Sequence, residues 1–127
     1  MGGYLLGFDC GTYEAKGTIC TVDGKLIATA FCKYELRVPQ PGFAEHDPIE
    51  DWWRSFKEIC AELLSTTGIS PSDIECIGVS TIMAAITAID ENCNPLRNAI
   101  LYGIDRRSEK QVQELNKAIG EERLIQI

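Results

Sequence analysis

Apolar residues at the start of the chain fall into three short runs, which predict a meander of three β-strands. The runs cover about residues 4–9, 15–22 and 26–36, and their length and composition are typical of strands. Asp23 and Gly24 separate the second run from the third. This pair favours a tight hairpin because both residues tolerate a positive φ. Neighbouring strands are therefore expected to pair in an antiparallel arrangement.

The apolar spacing changes to a helical period after a loop at residues 38–46. Asp47 followed by Pro48 predicts a helix start, with the carboxylate as N-cap and the proline in the first helical position. Gly68 and Pro71 are expected to end this helix. The apolar stripe that indicates its buried face consists of Trp52, Phe56, Ile59, Cys60, Leu63 and Leu64.

Two more strands and a second helix are predicted in the rest of the chain. The strands cover residues 74–80 and 84–89, and the helix runs from about 106 to 118. Three antiparallel strands followed by a helix and further strands form an α/β order that differs from a doubly wound arrangement. The residues of the last helix that are expected to face inward are Val112, Leu115 and Ile119.

Composition and charge are those of an ordinary globular protein. The chain has 127 residues, of which 45% are hydrophobic and 24% charged, enough for one domain or part of one. Its net charge of −7 argues against nucleic acid or an anionic membrane as the main partner. No apolar run is long enough to span a bilayer, and the start lacks a signal-peptide pattern. We therefore expect a cytoplasmic protein.

The end of the chain predicts that this sequence is the front part of a larger protein. Residues 123–127 are mostly apolar and carry no polar tail or helix cap. A partial domain leaves a sheet edge and an apolar face uncovered, and exposed edges pair with other chains. Self-association of the isolated chain is therefore expected.

The cysteines and the single histidine indicate no metal centre. No two cysteines form a C-x-x-C pair, and no cysteine lies near His46, whereas metal sites need close ligand pairs. Reduced cysteines that act as small core residues are the favoured interpretation. His46 stands between Glu45 and Asp47 in the loop and is interpreted as a surface hydrogen bonder. The six cysteines are Cys10, Cys20, Cys32, Cys60, Cys76 and Cys93.

The segment from Asp9 to Lys16 has the residue types of a phosphate site. Asp9 follows an apolar strand and could hold Mg²⁺ directly or through water. Gly11 lets the backbone approach an anion, and Thr12 adds a hydroxyl donor. A strand follows the turn, which argues against the usual strand–loop–helix phosphate sites. The alternatives are an Asp9 that only caps its own turn and a Lys16 that is simply solvated.

Three segments together resemble the FGGY carbohydrate kinases, in particular xylulokinase-like members of the actin-like ATPase superfamily. The first resembles the family's D-x-G-T-x-x-x-[KR] phosphate loop, the second its P-G-x-x-E-x-D-P-x-x-W segment, and the third its block from I-G-V-S to D-x-R. They occur in the family's order and cover nearly the whole chain. The segments are residues 7–16, residues 41–53, and residues 77–107.

The resemblance implies a fold, a reaction and a set of roles. The fold would be α/β, ribonuclease H-like or actin-like, with residues 1–127 as the incomplete first half of the N-terminal domain and no second domain. The reaction would transfer the γ-phosphoryl group of ATP, with Mg²⁺, to a sugar or polyol hydroxyl. Asp9 would orient Mg²⁺-bound water, Gly11 and Thr12 would cradle the phosphate, and Lys16 would add positive charge. The residues expected to line the sugar pocket are Met83, Tyr102 and Asp105.

The catalytic aspartate and the adenosine-binding domain of the family would lie beyond residue 127. No catalytic residue is therefore assigned within this chain, and the isolated chain is expected to be inactive.

The sequence also departs from the family pattern at the sugar pocket. Thr81-Ile82-Met83-Ala84 stands where many relatives have Gly-Gln-Met-His, so two hydrogen-bonding side chains are missing and the sugar is not identified. This departure keeps two alternatives open: a non-catalytic actin-like nucleotide-binding or sensor module, and a purely structural α/β fragment.

Four further side chains near these motifs have structural interpretations. Trp52 is expected in the core, and Trp53 is expected to pack on the loop at residues 41–43. Asp105 is interpreted as either the N-cap of the last helix or a sugar-hydroxyl acceptor. Arg107 is expected to serve the helix start or a carboxylate partner, and a substrate role is the alternative.

Overall fold

The computed structural model describes residues 3–124 of the chain, which form two small sheets and three helices. A π-helical turn, Pro48–Trp53, leads into the first helix, and a 3₁₀ turn, Pro71–Asp73, precedes the fifth strand. In chain order the strands are β1 (Tyr4–Cys10), β2 (Glu14–Thr21), β3 (Leu26–Lys33), β4 (Glu45–His46), β5 (Ile74–Thr81), β6 (Ala85–Ile86) and β7 (Ala99–Leu101), and the helices are α1 (Arg54–Thr67), α2 (Glu109–Ile119) and α3 (Glu121–Leu124).

The main sheet has the strand order β3-β2-β1-β5. β2 pairs antiparallel with both β1 and β3, which confirms the predicted meander. β1 also pairs with β5, and this pairing is parallel. The third strand ends at Lys33, three residues before the predicted limit. The next residue, Tyr34, is outside the strand, although its amide still donates to the Tyr13 carbonyl oxygen.

The core lies between the main sheet and α1. Alternate residues of the strands point toward the helix, as the two-residue period of a strand requires. Gly17 on β2 is the point of closest approach: a Cβ there would lie 2.2 Å from Cγ2 of Ile59 on α1. The largest apolar side chains of this core are Leu6, Phe8, Ile19, Ile59 and Leu63.

Both ends of the first helical segment follow the sequence prediction. The Asp47 carboxylate accepts the amides of Ile49 and Glu50 at 2.9 and 3.1 Å, with Pro48 in the first turn. At the other end Gly68 adopts a φ of 69° and donates its amide to the Leu64 carbonyl oxygen. A positive φ at this position is the common reason for a glycine at a helix end.

The second sheet has the order β4-β7-β6 and is shorter than the sequence predicts. Only Ala85–Ile86 of the predicted strand at residues 84–89 pairs as a strand. The helix predicted from about residue 106 corresponds to α2, which begins later, at Glu109. The prediction that Val112 and Leu115 face inward is wrong, because both side chains are about half exposed and no described element covers them.

β5 is the least covered strand of the main sheet. Ile77 and Val79 lie in register with Leu6 and Phe8 of β1 and therefore point to the same face as α1. Leu6 and Phe8 are buried under the helix, whereas Val79 keeps 67% of its surface exposed. The helix covers the β1–β3 part of the sheet and leaves β5 open.

All six cysteines are free within the described part of the chain, as predicted. The prediction that they are core residues holds for Cys10, which is buried, and is wrong for Cys76 and Cys93, which are exposed. No helix in residues 3–124 is long and apolar enough to cross a membrane.

Candidate functional site

The turn between β1 and β2 closes tightly on its own backbone. The Gly11 amide donates to the Glu14 carbonyl oxygen at 3.0 Å. A Cβ at position 11 would lie 2.9 Å from that oxygen, so a larger residue would force the turn open. Thr12 and Tyr13 form the tip of the turn. The first predicted phosphate element is thus a compact strand–turn–strand loop.

Asp9 lies on the face of the main sheet opposite α1. Its register partners are Lys16 on β2 and Ser80 on β5. All three residues line an open groove with a volume of about 850 Å³. Within residues 3–124 the Asp9 carboxylate accepts no hydrogen bond, which leaves both oxygens available to water or a ligand.

Lys16 points into the same groove but already has an acidic partner. Its Nζ lies 3.0 Å from Oε1 of Glu14, and its side chain is mostly exposed. An exposed pair of this kind is weak, so the ammonium group can exchange this partner for an anion. The predicted phosphate role of Lys16 stays a prediction.

Two buried side chains form hydrogen bonds to the backbone of the turn, and the sequence did not indicate this role for either of them. The Tyr34 hydroxyl donates to the Gly11 carbonyl oxygen at 2.6 Å. His46 Nε2 lies 2.9 Å from the Thr12 carbonyl oxygen. The prediction that His46 is a surface residue is wrong: it is 0% exposed, because β4 carries it under the turn.

The tautomer of His46 follows from its two partners. Trp52 Nε1, which can only donate, lies 3.1 Å from His46 Nδ1. Nδ1 is therefore the acceptor, and the ring proton is on Nε2, which donates to Thr12. Burial lowers the pKa of His46, while its hydrogen bond to Thr12 and the Asp51 charge oppose the shift. Trp52 packs against the core as predicted.

The predicted sugar-pocket residues Met83 and Tyr102 lie together at the edge of the second sheet. The Tyr102 amide donates to the Ala84 carbonyl oxygen at 3.2 Å, which joins the segments that carry the two side chains. Met83 is 84% exposed and Tyr102 is 73% exposed. Both side chains are therefore available to a ligand.

Asp105 lies in a different environment, where its carboxylate is saturated by donors. The Ala44 amide donates to Oδ2 at 2.7 Å, and the backbone amide and guanidinium of Arg107 supply the other hydrogen bonds. Hydrogen bonding from Arg107 lowers the pKa of Asp105 to about 2, against the opposing effect of burial. Asp105 is not the N-cap of α2, since that position belongs to Ser108. Its role as a sugar ligand stays a prediction.

Arg107 joins Asp105 to a second buried carboxylate, Glu45. Arg107 Nη2 lies 2.7 Å from Oε1 of Glu45, and its guanidinium carbon lies 4.0 Å from the centre of the Phe43 ring. Burial raises the pKa of Glu45, but hydrogen bonds from Arg107 and Asn98 outweigh it and lower the pKa overall. The expected carboxylate partner of Arg107 is thus confirmed.

The prediction that Trp53 packs on the loop at residues 41–43 is wrong. Its ring stacks on Phe56 at 5.6 Å, with Lys57 Nζ 5.9 Å from the ring. With Met83 and Val79 it lines an apolar groove of about 720 Å³ between α1 and β5. Its position follows from the helical spacing, which places Trp53 and Phe56 on neighbouring turns.

The residues of the turn fit Mg²⁺ that arrives with a nucleotide, and they do not form a metal site by themselves. No group of three or more His, Cys, Asp or Glu residues converges in the part of the chain that the structure describes. Mg²⁺ commonly uses one or two protein carboxylates together with phosphate oxygens and water. The single free carboxylate of Asp9 is consistent with that mode.

Comparisons with known proteins agree with this arrangement. A family model described as the N-terminal domain of the FGGY family of carbohydrate kinases matches residues 4–127. The xylulose kinase of Bacillus subtilis (strain 168) is 32% identical over 118 residues, which cover 93% of this chain and 23% of that protein. A glycerol kinase of Haloquadratum walsbyi is 32% identical over 116 residues, which cover 91% of this chain and 22% of that protein.

Solved structures of kinases are similar as well. A gluconate kinase from Lactobacillus acidophilus superposes with a TM-score of 0.83 at 26% identity, over 93% of this chain and 23% of that one. A xylulose kinase from Rhodospirillum rubrum gives a TM-score of 0.78 at 28% identity, over 94% of this chain and 24% of that one. The predicted actin-like ATPase fold is thereby confirmed. The chain spans less than a quarter of the length of these relatives and belongs to the FGGY family of carbohydrate kinases.

Proposed function

We propose that this chain is the N-terminal part of an ATP-dependent carbohydrate kinase that transfers the γ-phosphoryl group of ATP to a sugar or polyol hydroxyl. The observation that carries the proposal is the β1–β2 turn, where a free carboxylate, a glycine whose replacement would crowd the Glu14 carbonyl oxygen and a hydroxyl meet at one end of the sheet. Membership of the FGGY family supports the reaction class. In this proposal the catalytic base and the adenosine site lie outside these 127 residues, since the chain spans less than a quarter of the length of its relatives.

In this proposal the turn binds the phosphate end of the nucleotide. The backbone around Gly11 and Thr12, with the Thr12 hydroxyl, cradles the transferring phosphoryl group. Asp9 would hold Mg²⁺ through water, and the ion would neutralise charge on the phosphates. Lys16 adds positive charge once it leaves Glu14.

The acceptor binds against the exposed pair Met83 and Tyr102. Tyr102 offers a ring face to the carbon side of a sugar, and Met83 adapts its shape to the ligand. Asp105 supports this wall by holding Ala44 and Arg107 in place, and a direct contact with a sugar hydroxyl is its second proposed role. A net charge of −7 and the small-molecule substrates fit a cytoplasmic enzyme without a nucleic-acid or membrane partner.

The test is a phosphorylation assay on the full-length gene product with a panel of ketoses, aldonates and polyols. We expect ATP consumption that depends on one of these acceptors and falls at least 100-fold in Asp9→Ala, because a metal-orienting group acts mainly in the transition state. Asp73→Ala is the matched control, since Asp73 is an exposed aspartate at the opposite end of the same sheet. The chain of 127 residues alone is expected to show no turnover.

The outcomes separate the kinase from the non-catalytic alternative. Binding of MgATP without turnover on any acceptor, in a full-length sequence that lacks a catalytic aspartate, would support a nucleotide-binding module. Full activity in Asp9→Ala would overturn the role given to the turn. The family comparisons favour the kinase.

A further inference from the structure

We propose that Tyr34 and His46 are positioning residues that hold the backbone amides of Thr12 and Tyr13 in the direction of the nucleotide phosphates. The inference rests on the proposed function, because it concerns how the same turn receives the phosphate groups. Neither side chain would touch the nucleotide. Each acts on a carbonyl group on the inner side of the turn.

The Tyr34 contact fixes the peptide group between Gly11 and Thr12. The Tyr34 hydroxyl has one proton, and the 2.6 Å distance to the Gly11 carbonyl oxygen assigns it to that bond. The Cys10 thiol, 3.4 Å away, is then the donor to the Tyr34 oxygen. Burial raises the pKa of both groups, so both keep their protons at neutral pH.

The His46 contact fixes the next peptide group, between Thr12 and Tyr13. Trp52 holds Nδ1 as an acceptor, and Nε2 therefore presents its proton to the Thr12 carbonyl oxygen at 2.9 Å. The ring also packs edge-on against Tyr34, with ring centres 5.1 Å apart. The two positioning side chains thus form one unit under the turn.

Orientation of the amides follows from the geometry of the peptide bond. Both peptide bonds are trans, and in a trans peptide the C=O and the following N–H point in opposite directions. A Gly11 carbonyl held inward directs the Thr12 N–H outward, and a Thr12 carbonyl held inward directs the Tyr13 N–H outward. In residues 3–124 neither amide donates to another protein group, whereas the Gly11 amide is used inside the turn.

Two adjacent outward amides form a concave donor site that suits an anion. Donors that are already oriented lose little free energy in reorganisation when charge develops on a transferring phosphoryl group. Buried hydrogen bonds to the two carbonyl oxygens provide this orientation without placing another charge near the nucleotide. We therefore assign Tyr34 and His46 to the phosphate step and not to acceptor binding.

The first test compares Tyr34→Phe with Thr67→Val in the full-length protein. Each substitution removes one hydroxyl that donates to a backbone carbonyl. Tyr34 is buried, whereas Thr67 lies partly buried at the far end of α1. We expect Tyr34→Phe to lower kcat/KM for ATP about tenfold with an unchanged KM for the acceptor. Complete removal of one such donor lowers kcat about 10²–10³-fold. The effect expected here is smaller, because the amides stay in place and lose only their fixed direction. Thr67→Val should lower the thermal stability about as much as Tyr34→Phe does and should leave all kinetic parameters unchanged.

The second test uses the imidazole. His46→Gln keeps a hydrogen-bond donor near the position of Nε2, whereas His46→Leu removes the donor. We expect His46→Gln to retain most of kcat/KM for ATP and His46→Leu to lose at least tenfold. Recovery by the variant that keeps the donor distinguishes positioning from a general need for a buried ring.

Calorimetric binding of a non-hydrolysable ATP analogue and of adenosine provides a readout besides turnover. We expect Tyr34→Phe to weaken binding of the analogue several-fold and to leave adenosine binding unchanged. Equal kinetics and equal binding of the analogue in Tyr34→Phe and wild type would overturn the inference, and leave the proposed kinase function intact. A wild-type protein that binds no nucleotide would overturn both.

Discussion

Arg107 is a single side chain on which two buried carboxylates depend. Its guanidinium contacts Glu45 at 2.7 Å and Asp105 at 2.7 Å, and it covers the Phe43 ring. The planar guanidinium presents five N–H donors in a rigid fork, a geometry that the ammonium group of a lysine lacks. Asp105 in turn holds the Ala44 amide next to β4. Together with the pairing of β4 with β7, these contacts fix the segment that carries His46 to the later part of the described chain.

Arg107→Ala is expected to lower the free energy of unfolding by about 3 kcal/mol, because Asp105 would stay buried without its charged partner, whereas Glu45 would keep Arg97 and Asn98. Denaturant unfolding of the full-length protein measures the change. The control is Arg106→Ala, since Arg106 is exposed and contacts Gly42 only through its backbone amide; it should change the free energy by less than about 0.5 kcal/mol. Equal effects of the two substitutions would contradict the role of the buried network.

The buried imidazole of His46 predicts a pH dependence of stability. Burial lowers its pKa below the ordinary value of 6.5, so below that pH the unfolded state binds more protons than the folded state. The free energy of unfolding is therefore expected to fall as the pH drops from about 6.5 toward the folded pKa. Thermal unfolding between pH 7.5 and 5 measures it, and His46→Gln should show a smaller slope. Parallel curves for the two proteins would contradict the prediction.

At the level of elements, the packing of α1 on β2 depends on the absence of a side chain at Gly17. The helix lies so close that a Cβ would meet Ile59 Cγ2 at 2.2 Å and Leu63 Cδ1 at 3.2 Å. These two side chains are among the most buried in the molecule. They have no free space into which to move, because protein cores are packed as densely as organic crystals.

Gly17→Ala is expected to destabilise the protein by about 1–3 kcal/mol, the usual cost of an extra methyl group in a full core. Gly78→Ala is the matched control, since Gly78 also lies in a strand but no atom lies within 4 Å of its added Cβ. Thermal denaturation of both variants measures the difference. The double variant Gly17→Ala/Ile59→Ala should lose less free energy of unfolding than the sum of the two single losses. Strict additivity would contradict a direct contact between the two positions.

Local elements of this fold could be predicted from the sequence, and long-range contacts could not. The hairpin at Asp23-Gly24 and the N-cap at Asp47 depend on neighbouring residues, and the structure agrees with both. The burial of His46 depends on Thr12 and Trp52, which are 34 and 6 residues away, so its acidic sequence neighbours were misleading.

The candidate site divides in the same way. Asp9, Gly11 and Thr12 could be proposed from the sequence motif because they lie within four consecutive residues. Tyr34 was missed because its role depends on where β3 ends. The inward face predicted for α2 was wrong because helical periodicity indicates an apolar stripe, but does not say whether another element covers it.

At the scale of the whole molecule, part of the main sheet is left uncovered. β5 has β1 on one side only, so it is an edge strand of the described sheet. Val79 and Ile77 are exposed on its helix-facing side, next to the apolar groove under Trp53. Long apolar edge strands favour pairing between chains.

The isolated chain of 127 residues is therefore expected to self-associate, with a mean mass in light scattering that rises with concentration. Val79→Lys should shift the protein toward the monomer, because a charge on an edge strand opposes pairing. Val38→Lys is the control, since Val38 is similarly exposed but lies in a loop. A constant monomer mass for the unmodified chain over a wide concentration range would contradict the expectation.

The parallel pairing of β1 with β5 has a consequence for the order of folding. β1 meets β2 through a turn of a few residues, whereas its pairing with β5 closes a loop of roughly 70 residues and costs more chain entropy. The hairpin with Asp9 and Gly11 is therefore expected to form early. Ser80 and the Ile82 amide, which donates to the Cys10 carbonyl oxygen at 2.8 Å, arrive late. The groove beside Asp9, which Ser80 also lines, is therefore complete only after β5 has docked.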